Sequence, residues 1–302
     1  MKITHLEQIF DILKNKPKKH LVAAYANDAH TIEAVSAVVD KGLIDATLVG
    51  DTDTIKSVCE EGKIEYKKFK IVQEADAAKA GQLAVTLINS GSGDMLMKGL
   101  LSTDKYMRAI LDKEKGLMPA GGKSILYHIA VLENPSYHKL LLCSDMAIIP
   151  LPDLKQKITM IGGMVKVAKI IGIENPKIAI LAATEQVATA MQACIDGALL
   201  AKMSDRGQIK GCIVDGPLSL DVAIDAESTA IKKVSGEVAG DADGLIFPNI
   251  EAGNVFYKMH TKFNKGGIGA MVMGAKVPCI LTSRGDSMIA KMNSIALAAL
   301  CA

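Results

Sequence analysis

The chain has 302 residues, 49% of them hydrophobic, and 35 basic against 33 acidic side chains leave a net charge of +2. This is enough apolar material for a large core in one or two domains, and it excludes disorder and fibrous repeats. Near-neutral charge, 4% aromatic content and the absence of Trp exclude a basic nucleic-acid groove with stacking platforms.

No apolar run reaches 18 residues, and Lys2, Glu7, Asp11 and Lys14 interrupt the stretch a signal peptide would need; no membrane span is expected, and the expected location is cytoplasmic. The six cysteines are scattered among apolar neighbours without C-x-x-C spacing. They read as reduced core residues, and no metal site is expected.

Thr4 and Glu7 have capping-box spacing ahead of Leu6, Ile9, Phe10 and Leu13, so an amphipathic helix opens the chain. Strands are then expected at 21–26, 46–49 and 69–72, alternating with helices at 31–41, 52–61 and 74–89. This pattern implies a parallel sheet covered on both faces, with ligands beyond the strand C-termini. A strand at 95–97, a loop containing Lys98, Gly99, Ser102 and Thr103, and a helix carrying Arg108 follow, with Ser102 or Thr103 as the cap.

Gly116 to Ser124 looks like a P-loop, but the Gly116 to Gly122 spacing is one residue too long and no strand precedes it. It reads as a connector between domains. Strands at 124–131 and 139–143 and a long helix at 154–171 lead into a second α/β unit. Its strands are expected at 178–181, 209–214, 244–247 and 270–273, and its helices at 184–203, 219–232 and 252–263. Last come a strand at 277–281, the loop Thr282-Ser-Arg-Gly-Asp-Ser287 and a helix with Ile289, Met292, Ile295, Ala296 and Leu300 on one face. No G-x-G-x-x-G follows a strand, which argues against a nicotinamide site.

Only three arginines occur, Arg108, Arg206 and Arg284, so lysine supplies almost every ordinary surface cation. A guanidinium grips carboxylate or phosphate at two points, which an ammonium cannot do. Two of the three follow hydroxyl-rich strand-end loops. Four such segments carry the polar residues of interest: Lys98 to Thr103, Ser144-Asp145, Pro248 to Asn254 and Ser283 to Ser287. They supply arginine, hydroxyls, amides and glycines, with neither a nucleophile–histidine pair nor a carboxylate cluster. His128, His138 and His260 read as structural. The chemistry indicated is the positioning of anions without a metal.

At these segments the chain resembles the phosphate acetyl/butyryltransferase family. The resemblance rests on Asp94-Met-Leu-Met-Lys-Gly-Leu-Leu-Ser-Thr103 with Arg108, Leu142-Cys-Ser-Asp-Met-Ala-Ile-Ile-Pro150, Phe247-Pro-Asn-Ile-Glu-Ala-Gly-Asn254 and Thr282-Ser-Arg-Gly-Asp-Ser287. It spans essentially the whole chain, and the chain end from Asp286 is most like the butyryl branch.

The resemblance implies an α/β fold of two three-layer α/β/α domains with mostly parallel sheets, similar to isocitrate/isopropylmalate dehydrogenases, with an inter-domain active-site cleft. Domain one would comprise 1–120 plus 271–302, and domain two 121–270. The implied reaction is reversible: butyryl-CoA plus phosphate gives CoA plus butyryl phosphate. CoA is then a substrate and no cofactor is expected; a homo-oligomer is usual in the family.

Carried over by position, Ser283 would stabilise the tetrahedral centre or the departing thiol. Arg284 would hold phosphate, and Arg108 would share that anion or a CoA phosphate. Lys98, Ser102, Thr103, Asn249, Gly253, Asn254 and Gly285 complete the expected substrate contacts. With no histidine accompanying Ser283, direct attack of phosphate in a ternary complex is the simpler route. Acetyltransferases of the family carry a carboxylate seven residues after the motif serine, where this chain has Ala290; Asp286 is the nearest substitute as proton carrier, with Lys98 as another. The alternatives are an acetyl-CoA enzyme, a metal-dependent dehydrogenase, which would need clustered aspartates, and a CoA- or phosphate-binding protein without turnover.

Overall fold

A computed structural model describes residues 2–122, 124–283 and 285–302. Helix α1 (Glu7–Leu13) precedes strand β1 (Lys19–Ala24), and alternation continues through α2 (Ala29–Asp40), β2 (Ile44–Gly50), α3 (Thr52–Glu61), β3 (Lys70–Gln73), α4 (Ala77–Asn89), β4 (Met95–Lys98) and α5 (Thr103–Leu111). Then come β5 (Tyr127–Glu133), β6 (Leu141–Ser144), α6 (Leu154–Ile170), β7 (Lys177–Leu181), α7 (Gln192–Asp205), β8 (Ile213–Leu218), α8 (Leu220–Ile224), α9 (Ala226–Lys232) and β9 (Gly244–Ile246). Helix α10 (Ile250–Lys258) runs into a π turn (Met259–Phe263), followed by β10 (Gly267–Met273), β11 (Cys279–Ile280) and α11 (Met288–Cys301).

The chain divides into a terminal unit, Glu7–Leu126 with Gly269–Ala302, and a central unit, Tyr127–Ile268 with residues 2–6. Strands of the terminal unit are ordered β3-β2-β1-β4-β11-β10, all pairs parallel except β10 with β11. Those of the central unit are ordered β5-β6-β9-β7-β8, with only β5 and β6 antiparallel. Leu21 to Ala24 of β1 and the whole of β4 are continuous buried runs, as expected where helices cover both faces. The carboxylates of Asp28, Asp51 and Asp76 and the hydroxyls of Ser102 and Ser287 start α2, α3, α4, α5 and α11 by accepting first-turn N–H groups. Asp153 and Gln156 form a capping box on α6.

One group of charges in the central unit lies at the strand N-termini. The Lys139 ammonium lies 2.8 Å from both Asp241 and Asp243, and Lys177 lies 2.8 Å from Asp241. Burial raises the Asp241 pKa, but hydrogen bonds from the two lysines outweigh it and hold the carboxyl well below the usual range. A buried Lys157–Asp196 pair at 2.6 Å ties α6 to α7.

Several elements differ from the sequence expectation. The first helix starts at Glu7; ahead of it Leu6 N–H donates to Glu133 Oε2 at 2.8 Å and Ile3 N–H to Ile171 O at 2.9 Å. These contacts carry residues 2–6 to the central unit, although the expected boundaries grouped them with the first domain. The helix expected from 184 begins only at Gln192, because Glu185 is bound to Ser219 and Lys232. The helix expected over 219–232 breaks at Asp225, whose extended backbone and carboxylate, accepting from Ser228 N–H, cap a new helix from Ala226. Part of the supposed connector is folded core: Leu117 is buried, its N–H donates to Ile110 O and its carbonyl accepts from Lys276 N–H.

Candidate active site

In the terminal unit β1, β2 and β3 follow one another to one side, while β4 lies on the other side of β1. The strand order of this parallel sheet therefore reverses between β1 and β4, the position at which open α/β sheets bind ligands beyond their strand C-termini. In the β1–β4–β11 register, Ala24 pairs with Lys98, and Met97 with Ile280. Three loops consequently leave three neighbouring strands, spaced about 4.8 Å apart.

The loop after β1 contains Tyr25, with φ of 58°, then Asn27 and the α2 cap Asp28. Its backbone is stitched to the β4 loop: Gly99 N–H donates to Ala24 O at 2.9 Å and Leu100 N–H to Tyr25 O at 2.8 Å. A Cβ on Gly99 would stand 2.4 Å from Tyr25 O, so this approach requires glycine. Asp28 Oδ1 accepts from Thr31 N–H, while Asp28 Oδ2 is buried without a hydrogen-bond partner among the described residues. The sequence reading passed over these three residues. The Asn-Asp pair following a strand was the available signal, but it has the form of any helix cap.

Lys98 ends β4 with its side chain buried, and its Nζ donates to Gly99 O at 3.1 Å and Leu101 O at 3.0 Å. Ser102 accepts from Lys105 N–H, and both Ser102 and Thr103 are exposed. Arg108 Nε donates to Asp104 at 3.0 Å on the exposed face of α5, so in this structure its guanidinium engages its own helix. From the same helix Tyr106 is fully buried, and its hydroxyl donates to Leu96 O and Ile280 O, joining the two strands that carry the β4 and β11 loops.

After β11 the exposed Ser283 is held at both ends of its backbone. Its N–H donates to Asp286 Oδ2 at 2.8 Å and its carbonyl accepts from Asp286 N–H at 3.1 Å. Gly285 N–H donates to Ser283 Oγ at 3.4 Å. Ser287, rather than Asp286, caps α11, accepting from Ala290 N–H at 3.2 Å. Ala290 is thus a buried first-turn residue, and Arg284 lies outside the described residues. Lys98, Ser102, Thr103, Ser283, Gly285 and Asp286 are therefore grouped on adjacent strand ends, where the N-termini of α2, α5 and α11 add partial positive charge. Such a constellation suits an oxyanion or phosphate.

The expected contacts Asn249, Gly253 and Asn254 belong to the central unit. Asn249 caps α10 through Ala252 N–H at 2.9 Å, and Asn254 Nδ2 donates to Met146 O at 3.2 Å. A Cβ on Gly253 would stand 2.4 Å from Asp145 O. Asp145 is itself buried and accepts from the N–H groups of His128 at 2.9 Å, Ala147 at 2.7 Å and Ile148 at 2.8 Å. At the ends of β7 and β8, Glu185, Ser219, Asp221 and Lys232 form a second polar cluster that the sequence reading did not single out. The hydrogen bond from Ser219 pulls the Asp221 carboxyl down to about 2 and lowers Glu185 as well.

His260 is buried with Nε2 2.9 Å from Gly267 O, and burial lowers its pKa. Cys143, Cys212 and Cys279 are buried, and burial raises their thiols, Cys279 to about 12. Among the described residues no group of three or more His, Cys, Asp or Glu side chains is arranged to hold a metal ion, and no helix is long and apolar enough to cross a membrane.

Residues 4–85 and 77–299 match the family described as phosphate acetyl/butaryl transferase. A phosphate butyryltransferase of Clostridium acetobutylicum is 45% identical over 300 residues, covering 99% of each chain. A phosphate acetyltransferase of Thermotoga maritima is 40% identical over 297 residues, covering 98% of this chain and 99% of its own. Among solved structures, a branched-chain phosphotransacylase from Enterococcus faecalis superposes with a TM-score of 0.81 at 29% identity, over 94% of this chain and 98% of its own.

Proposed function

Because the chain belongs to the phosphate acetyl/butaryl transferase family, we propose that it is the acyltransferase that exchanges a butyryl group between CoA and inorganic phosphate. The reading is carried by the full-length 45% identity to a phosphate butyryltransferase. It is supported by the grouping of Ser283, Lys98 and three helix N-termini at neighbouring strand ends. On this reading the enzyme acts in the cytoplasm as a homo-oligomer, on acyl-CoA and phosphate, releasing acyl phosphate.

In the proposed ternary complex an oxygen of hydrogen phosphate attacks the thioester carbon. The new C–O bond forms, negative charge grows on the carbonyl oxygen, and the C–S bond then breaks with its electron pair on sulfur. The proton of hydrogen phosphate ends on the CoA thiol, so no other reactant is needed. Phosphate is heavily hydrated in water, and fixed donors must replace that hydration while holding it about 3 Å from the carbon. Arg284, Arg108, Lys98 and the N-termini of α5 and α11 serve as those donors, and Ser283 stabilises the tetrahedral oxygen or the leaving sulfur. Asp286, already hydrogen-bonded to Ser283 N–H, is the proposed proton carrier; Asp286→Asn with full rate and an unchanged pH profile would remove it from that role.

Release of thiol from butyryl-CoA and acetyl-CoA, with and without phosphate and in the presence of chelator, tests the reaction. Phosphate-dependent release favouring butyryl-CoA is expected. A preference for acetyl-CoA would favour the reading suggested by the 40% identical acetyltransferase. No release from either substrate would sink both.

A further inference from the structure

Among the described residues of the terminal unit four large apolar side chains are exposed: Leu100, Leu111, Met288 and Ile289. Three of the four stand at the strand ends that carry the anion donors. Leu100 is two residues beyond Lys98 in the loop after β4, 41% exposed and fixed by the bond from its N–H to Tyr25 O. Met288 and Ile289, 45% and 67% exposed, are the first two residues of α11. They directly follow the Ser283–Asp286 loop, which leaves the strand next to β4.

The first turn of α11 departs from its counterparts in this unit. Helices α2, α3, α4 and α5 open on Ala29-His-Thr31, Thr52-Asp-Thr54, Ala77-Ala-Lys79 and Thr103-Asp-Lys105. These small or polar residues suit a solvated helix end with partial positive charge. Helix α11 opens on Met-Ile-Ala, while the core is already served by its continuous buried run from Asn293 to Leu300. Large aliphatic side chains held in water beside a ligand site become favourable when an apolar part of the ligand covers them.

We propose that Ile289, Met288 and Leu100 form the surface on which the hydrocarbon tail of the acyl group lies, and that they favour a four-carbon over a two-carbon acyl chain. An acyl thioester brings a carbonyl that needs donors and a saturated tail that needs none. Ser283 and the helix N-termini meet the first need; the start of α11 and the β4 loop meet the second. Phosphate and the charged end of CoA gain nothing from such side chains. The identity of the ligand rests on the acyl transfer proposed above.

The ratio of kcat/KM for butyryl-CoA to that for acetyl-CoA, measured by phosphate-dependent thiol release, reads this surface, because the substrates differ only in two methylenes. Covering both is worth on the order of tenfold. Ile289→Ser is expected to lower the ratio about fivefold, and Met288→Ser and Leu100→Ser about twofold each. Leu111→Ser should leave it unchanged, since Leu111 ends α5 about 12 Å from the start of that helix. All four positions are exposed, and an unchanged Tm verifies the fold of each variant.

Calorimetric binding of butyryl-CoA and acetyl-CoA without phosphate repeats the comparison without turnover. A wild type that releases no thiol but binds butyryl-CoA more tightly, with the margin lost in Ile289→Ser, would remove the reaction and keep the surface. Turnover with a ratio that none of the three variants moves overturns the surface and keeps the reaction. Equal weakening of both substrates puts the pantetheine arm of CoA on these side chains and overturns the proposal. Absence of both turnover and a binding difference overturns the two together.

Discussion

At the ends of β1, β4 and β11 the terminal unit turns hydroxyls and helix N-termini toward solvent and, among the described residues, leaves Asp28 Oδ2 without a hydrogen-bond partner. At the ends of β6, β9, β7 and β8 the central unit holds an equally polar set of residues, but it uses them internally. Asp145 gathers three backbone N–H groups, Asn249 caps α10, and Glu185 and Asp221 close on Ser219 and Lys232. Polar residues at strand ends are therefore ambiguous until their partners are known. Where the fold already satisfies them, substitution should act on stability; where it does not, substitution should act on the reaction.

The largest effects should separate along that line. Asp145→Ala strips the acceptor from three N–H groups, that of His128 being buried, and is expected to cost on the order of 3 kcal/mol of stability. A denaturation midpoint within error of wild type would contradict the assignment. Ser283→Ala should do the opposite: removal of a donor to developing oxyanion charge lowers kcat about 100- to 1,000-fold, equivalent to about 3–4 kcal/mol. Its midpoint should change little, because the Asp286 bonds run to the Ser283 backbone and survive the substitution, and only the long, exposed 3.4 Å bond from Gly285 N–H to Ser283 Oγ is lost. Loss of stability without loss of rate would place Ser283 among the structural group.

Two helix caps sharpen the contrast at a smaller scale. Ser102→Ala and Asn249→Ala each remove one first-turn acceptor and should each cost about 1 kcal/mol of stability. Only Ser102→Ala should also raise the KM for phosphate, because its helix N-terminus lies among the proposed anion donors. Equal KM changes in the two variants would erase the distinction between the units.

Much of this was legible before any coordinates. Alternating apolar runs located α2 and α3, the hydroxyls Ser102 and Thr103 marked the start of α5, and the periodicity after Ser287 identified the final helix, because these signals depend on near neighbours. The elements misread were those decided by distant partners. Residues 184–191 have apolar spacing that imitates a helix, but Glu185 is held by Ser219 and Lys232 from other elements. Asp225 prefers its own cap at Ser228 to continuing α8. The adjacency of Tyr25 to Gly99 arises from β1 pairing with β4, which no local pattern encodes. Asn249, Gly253 and Asn254, expected as substrate contacts, also have work in the fold that residue identity alone does not reveal.

The smallest effect concerns pH. The hydrogen bond from Ser219 holds the Asp221 carboxyl at about 2 in the folded chain, with Lys232 Nζ 2.9 Å away, against about 3.9 when unfolded. A depressed carboxyl contributes stability that is present above the unfolded value and lost as pH falls through the folded one. The Asp221 side chain is 48% exposed, so solvent screening leaves a contribution of well under about 1 kcal/mol. The expected result is a difference in Tm between wild type and Asp221→Asn that is constant from pH 7 to 5, narrows between about pH 4 and 2, and shrinks in high salt. A difference independent of pH would mean that the cluster holds α8 and α9 by shape and neutral hydrogen bonds alone. The carboxylates at the ends of β7 and β8 would then be available to something outside the fold, which is the property assigned above to the terminal unit.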